Sequence, residues 1–153
     1  RKALPAKPLS SHDLRTILTP KPTYSLEERD IVYATLVYIA GLLTRNGVNT
    51  VIDATGNLRR YRKSARKQIP KSIEAYLECP LEVCVEREAK RGKTYQAPKQ
   101  IYARAQQGRA PTVPGMGQPY EPPLNPEITL DTTKYTPKEC AQKILKTILQ
   151  RFH

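Results

Sequence analysis

Apolar residues recur at helical spacing after Ser25: Ile31, Leu36, Ile39, Ala40 and Leu43 predict the buried face of one long helix. Ser25 followed three residues on by Glu28 is a capping signal, with acidic residues in the first turn, and Gly47 supplies the stop. The helix should run about six turns. Next comes the β-branched run Thr50-Val51-Ile52-Asp53-Ala54, which predicts a strand buried on both faces of a parallel sheet. The stretch from Ile73 to Cys79 gives a second strand centred on Glu74-Ala75-Tyr76-Leu77, and Pro80 opens another helix at its first turn. Glu127 to Asp131 predicts a last strand. Thr136 to Phe152 predicts a closing helix with Ala141, Ile144, Leu145 and Ile148 on one face. Near the beginning, Pro5 and Pro8 stop any helix that Arg1 to Leu4 would suit, and Leu9-Ser10-Ser11 reads as the end of a short strand. Strands and helices alternate, so the expected architecture is α/β in layers around a parallel sheet.

From Lys90 to Pro123 the pattern breaks down. Six of the fourteen prolines and four of the seven glycines fall there, with Lys and Arg scattered among them, so no regular element is expected. Long structureless stretches inside a compact domain are usually lids or linkers, and residues 90–123 are read as a lid. At 153 residues the chain suits one domain spanning 1–153.

Charge narrows the partners. Twenty-six Lys and Arg against fourteen Asp and Glu leave a formal net charge of +12, which favours anions: nucleotide phosphate, sulfate or a nucleic-acid backbone. There is no apolar run long enough for a membrane span and no secretory leader pattern, so the expected location is the cytoplasm. The three cysteines, Cys79, Cys84 and Cys140, lack the spacing of a zinc knuckle and read as reduced, buried and structural. No metal site is expected among the side chains.

Two strand ends carry candidate chemistry. Leu9-Ser10-Ser11-His12-Asp13-Leu14-Arg15 leaves polar groups and an arginine at the C-terminal edge of a strand, where open α/β sheets bind ligands. Arg15 is placed to hold a phosphate or sulfate; the competing reading is a helix cap with a solvated arginine. Asp53-Ala54-Thr55-Gly56-Asn57 repeats the arrangement, with a glycine that lets backbone approach a ligand. Behind it Arg59, Arg60, Arg62 and Arg66 concentrate positive charge, and one of the four is expected to touch a ligand directly.

Read in order, Cys79-Pro80-Leu81-Glu82-Val83-Cys84-Val85-Glu86-Arg87, Pro119-Tyr120-Glu121, Asn125-Pro126-Glu127 and Leu130-Asp131-Thr132 resemble the series found in adenylylsulfate kinases. Glu27-Glu28-Arg29 resembles the arginine-bearing start of that family's substrate helix, so the likeness runs from Leu9 onward. The resemblance implies a three-layer P-loop kinase fold that passes the γ-phosphoryl of ATP, with Mg2+, to the ribose 3′-hydroxyl of adenylylsulfate in sulfate assimilation. It implies substrate roles for Arg15 and Arg29, an ATP role for Arg87, and lid contacts from Tyr102 and Arg104. Arg59 is the choice among the four clustered arginines. The reading leaves room for a homodimer and for a fused sulfurylase domain.

The departures are as specific as the matches. No Gly-x-x-x-x-Gly-Lys-Ser/Thr phosphate loop occurs in the chain, so the first strand and its loop are expected to lie upstream. Ser10 and His12 stand where the family has two aspartates, Val32 where it has an asparagine and Val113 where it has a phenylalanine. The lid also carries an extension, Lys93 to Pro98. His12, with Asp13 to orient it, is the candidate general base, because imidazole titrates near neutrality. Loss of phosphoryl transfer, leaving a binder of the nucleotide, is the alternative. A second kinase reading, resemblance to polynucleotide 5′-kinases, would direct the basic surface at a nucleic-acid strand; the single Phe and absence of Trp give it few stacking platforms.

Overall fold

The computed structural model describes residues 4–92 and 100–152. Strand β1 (Lys7–Ser10) leads into helix α1 (Ser11–Leu18), followed by α2 (Leu26–Arg45), β2 (Thr50–Asp53), α3 (Arg59–Gln68), β3 (Ala75–Glu78) and α4 (Leu81–Lys90). After them come α5 (Ile101–Gln106), β4 (Ile128–Asp131) and α6 (Pro137–Phe152). All four strands pair in parallel, as two pairs: β1 with β2, Leu9 opposite Ile52, and β3 with β4, Leu77 opposite Leu130. Parallel neighbours need a crossover, and α2 supplies the one between β1 and β2.

Helix α2 forms where its caps predict. The Ser25 hydroxyl accepts the Glu28 N–H, and the chain leaves the helix through Gly47 at φ +78°. Its buried face shares Leu36 and Ala40 with the one read from periodicity, with Ile39 and Leu43 half-buried, but is turned away from Ile31. Val32, Tyr33, Leu36, Val37, Ala40 and Gly41 are buried, whereas Ile31 is 57% exposed. Apolar residues nearly encircle this helix, so spacing alone does not select the side that meets the sheet. Tyr33 and Leu36 pack with Tyr61 of α3, against Leu9, Leu14, Ile52, Ala54 and Leu58. The Tyr33 and Tyr61 rings stack at 4.1 Å, and the Tyr33 hydroxyl accepts the Gly56 N–H at 2.8 Å. Strand β2 is open on one side rather than buried on both: Val51 is 56% exposed, as is Leu77 of β3 at 53%. On α6, Cys140 is buried, Ile144, Leu145 and Ile148 are half-buried and Ala141 is exposed.

The second pair of strands is buckled by charge. Arg66 donates to both Glu127 carboxylate oxygens, at 2.8 and 2.6 Å, and to Glu74 and the Asn125 carbonyl. Arg62 lies 2.6 Å from Glu74 and also donates to the carbonyls of Gly56 and Glu121. Glu127 accepts the Glu74 N–H at 2.7 Å, and Arg151 of α6 approaches it at 3.4 Å. The cluster ties α3 and α6 to the entry ends of β3 and β4.

Part of the 90–123 stretch is regular, which corrects the expectation of a structureless run. Beyond α5, the Val113 carbonyl accepts the N–H groups of Met116, Gly117 and Gln118, closing a tight turn. A Cβ on Gly117 would lie 1.8 Å from the Pro111 carbonyl oxygen, so no other residue fits there. The extension Lys93 to Pro98 lies outside the described residues.

Candidate functional site

The first strand end is built by a cap. Ser10, not Ser11, closes β1, and its hydroxyl accepts the N–H groups of His12 and Asp13 at 3.1 and 3.4 Å. The expected strand end at Ser11 therefore becomes the first turn of α1, because a serine at Ser10 satisfies two orphan helix donors. His12 is half-buried and Asp13 exposed, and among the described residues no hydrogen bond joins their side chains.

One turn on, Arg15 is buried and pairs with the Glu28 carboxylate, its guanidinium 4.8 Å above the Tyr24 ring. Arg29, also buried, donates from Nε to the Tyr24 carbonyl at 3.2 Å and from Nη2 to the Thr112 carbonyl, just before the Val113 turn, at 2.6 Å. Glu28 completes the group: Oε2 accepts the Thr23 N–H at 2.6 Å, the Thr23 hydroxyl at 2.8 Å and the Tyr24 N–H at 3.1 Å. Burial pushes its pKa up, but the Thr23 hydroxyl, the two N–H donors and Arg15 outweigh this, and the carboxyl is held below its ordinary value. Arg15 and Arg29, two of the residues singled out in the sequence, are thus brought to one cluster beside the turn at Thr112 and Val113.

The other candidates are spread around this cluster. Arg59 opens α3, donating its backbone N–H to the Glu121 carboxylate at 2.6 Å and its Nε to the Pro122 carbonyl at 2.8 Å. Asn57 donates to the Pro119 carbonyl and its own carbonyl accepts the Glu121 N–H, so Pro119-Tyr120-Glu121 is clasped to the second strand end. Arg87 of α4 is exposed and reaches across to β4, donating to the Thr132 carbonyl at 2.7 Å and hydroxyl at 3.2 Å. On α5, Tyr102 is half-buried and Arg104 exposed; burial pushes the Tyr102 hydroxyl up. Cys84 is held up to about 11 by burial and the neighbouring Cys79 thiol, which keeps it protonated and a poor nucleophile. Cys79 and Cys84 are half-buried rather than buried, and no disulfide joins the three cysteines.

Comparison with known proteins decides the family. Its profile, described as adenylylsulphate kinase, matches residues 1–131. The chain belongs to the adenylylsulphate kinase family. It is 34% identical over 138 residues to a probable adenylyl-sulfate kinase of Pyrococcus abyssi, covering 90% of this chain and 74% of that one. It is 37% identical over 131 residues to the adenylyl-sulfate kinase of Rippkaea orientalis, covering 86% of this chain and 67% of the relative. Among solved structures it is similar to the APS kinase of Mycobacterium tuberculosis in complex with AMPPNP and APS, with TM-score 0.80 and 26% identity, over 95% of this chain and 80% of that one. The kinase fold with its parallel strands follows from this likeness.

Membership sharpens the departures. Val32 is fully buried in the core of α2, so a polar side chain at that position would need a new partner. Val113 is 7% exposed, and its carbonyl closes the turn to Gln118. Residues that sequence reasoning passed over are Tyr24 and Thr112, while Glu28 and Glu121 were read only as a cap and as parts of motifs, without partners. Thr112 has no local pattern, since it acts through its backbone carbonyl, and Tyr24 acts through its carbonyl on Arg29 and its ring on Arg15, a pairing no local spacing encodes.

Proposed function

We propose that this protein transfers the γ-phosphoryl group of ATP to the ribose 3′-hydroxyl of adenylylsulfate, giving 3′-phosphoadenylylsulfate. The observation that carries the reading is the pair of buried arginines, Arg15 and Arg29, held beside the end of β1 and against the lid carbonyl of Thr112. Phosphoryl transfer asks a protein mainly for positioning and positive charge. In this assignment Arg15, Arg29 and Arg59 hold the sulfate nucleotide, Tyr102 and Arg104 close over it, and Arg87 serves the ATP side. His12 takes the proton of the 3′-hydroxyl, and Asp13 stabilises the imidazolium that results. The reaction belongs to the cytoplasm in this assignment.

Mg2+ accompanies ATP in the proposal. The described residues hold no cluster of three metal-ligating side chains, which suits a cation that keeps its waters and rides on phosphate oxygens. The exposed Asp53 at the end of β2 can supply one carboxylate. A phosphate loop outside these 153 residues is also part of the proposal. What supports it is the apolar surface left open on β2 and β3 at Val51 and Leu77, together with the missing glycine-rich motif in the sequence.

The polynucleotide reading loses its support. Arg60 pairs with Asp30, and Arg62 and Arg66 are engaged in the buckle with Glu74 and Glu127, so three of the four arginines already have carboxylate partners. The test is incubation of the protein, with the upstream coding sequence included, with labelled ATP, Mg2+ and adenylylsulfate. Label is expected in 3′-phosphoadenylylsulfate. Label transferred instead to a 5′-hydroxyl oligonucleotide would overturn the assignment.

A further inference from the structure

We propose that Glu28 is a positioning residue for substrate: its carboxylate holds Arg15 and the Thr23–Tyr24 turn so that Arg15 and Arg29 offer their remaining donors to one anion. This rests on the assignment of both arginines to the sulfate nucleotide. In a capping box the third helical residue turns its carboxylate back onto the N–H of the capping residue. Glu28 does not. The Ser25 N–H goes to the Thr23 hydroxyl at 3.3 Å, and the Glu28 carboxylate reaches past it to Thr23 and Tyr24 on one oxygen and to Arg15 on the other. At 8% exposure, a carboxylate with four donors is a built feature of the interior rather than a surface cap.

What Glu28 enforces is visible at Tyr24. This residue sits at φ +57°, a left-handed conformation that is rare for a bulky side chain and persists only where neighbours overdetermine it. The conformation does two things at once. Its carbonyl takes the Arg29 Nε–H, and its ring lies under the Arg15 guanidinium. With Arg15 anchored by Nη1 and Arg29 by Nε and Nη2, the Nε and Nη2 of Arg15 and the Nη1 of Arg29 have no hydrogen-bond partner among the described residues. Two guanidinium groups, one paired with Glu28 and the other held by the turn that Glu28 braces, with donors left over, form a preorganised fork for a sulfate or phosphate group.

The test is equilibrium titration of adenylylsulfate, and of adenosine as a ligand without the anion, into wild type, Glu28→Gln, Arg15→Ala and the double variant. Glutamine keeps the shape but cannot pair with both Arg15 and the Thr23–Tyr24 turn. Glu28→Gln is expected to weaken adenylylsulfate about tenfold and to leave adenosine unchanged, while in the Arg15→Ala background only the part passed through Tyr24 to Arg29 remains, about threefold. Tyr24→Gly, which relieves the positive φ but removes the ring, is expected to show the same selective loss with no fall in Tm, and it serves if Glu28→Gln does not fold. Equal loss for both ligands, or the same tenfold loss with and without Arg15, would overturn the positioning role. A wild-type protein that binds adenosine but gains nothing from the adenylylsulfate anion would instead sink the substrate assignment, and the control titration reveals that separately.

Discussion

Two arginine–carboxylate clusters hold this molecule, and they spend their guanidinium groups differently. In the buckle at the entry ends of β3 and β4, every nitrogen of Arg62 and Arg66 that can donate sideways is committed to Glu74, Glu127 or a backbone carbonyl. In the cluster at the start of α2, Arg15 and Arg29 are more deeply buried than Arg62 and Arg66 yet keep donors in reserve, beside a strained Tyr24 and the turn at Val113. In the first cluster every guanidinium nitrogen already has an acceptor in the fold. Burial and charge alone do not mark a binding arginine; unspent donors do, because a buried polar group that already has its partners gains little from another.

The largest effect should come from breaking the buckle. Glu127→Ala leaves Arg66 and the Glu74 N–H without their main partner and is expected to destabilise the fold by about 3 kcal/mol, the low end for a broken buried pair because Arg66 is partly exposed. Chemical denaturation reads this, and adenylylsulfate affinity of the folded protein should not change. A drop in affinity of the same size would mean that the two clusters are one.

Arg29→Ala should do the reverse. A charge-assisted hydrogen bond to the ligand is worth about 1.5–3 kcal/mol, and that is the loss of adenylylsulfate affinity expected by calorimetry. Unchanged affinity would remove Arg29 from the site.

Acid separates the clusters more gently. Glu127 is drawn from its ordinary 4.5 to about 2, chiefly by hydrogen bonds from Arg66, which outweigh its burial. The folded carboxylate binds its proton less readily than the unfolded one, so this stabilisation is whole above 4.5 and fades as pH falls from there towards 2. Thermal melts of wild type should fall across that window, and those of Glu127→Gln should fall less steeply. Smallest of all, Arg60→Ala removes an exposed pair with Asp30 and should leave both the melt and the affinity as they were.

Local patterns in the sequence determined a good deal. The Ser25 cap and Gly47 stop bounded α2 to within a residue or two, β-branched runs located β2 and β4, and the motif from Cys79 to Arg87 led to the family that the comparisons establish. These features act between residues a few positions apart, which is why one sequence suffices to read them. Tertiary structure decided the rest. It chose Val32 and Tyr33 over Ile31 as the buried side of α2, since the choice depends on where α3 and the strands lie. It separated Arg62 and Arg66 from Arg15 and Arg29, although all four look alike as basic residues near strand ends. Their partners, Glu121 and Glu127 in one case and Glu28 and Thr112 in the other, lie up to 83 positions away, and no local spacing encodes which carboxylate or carbonyl a guanidinium will meet.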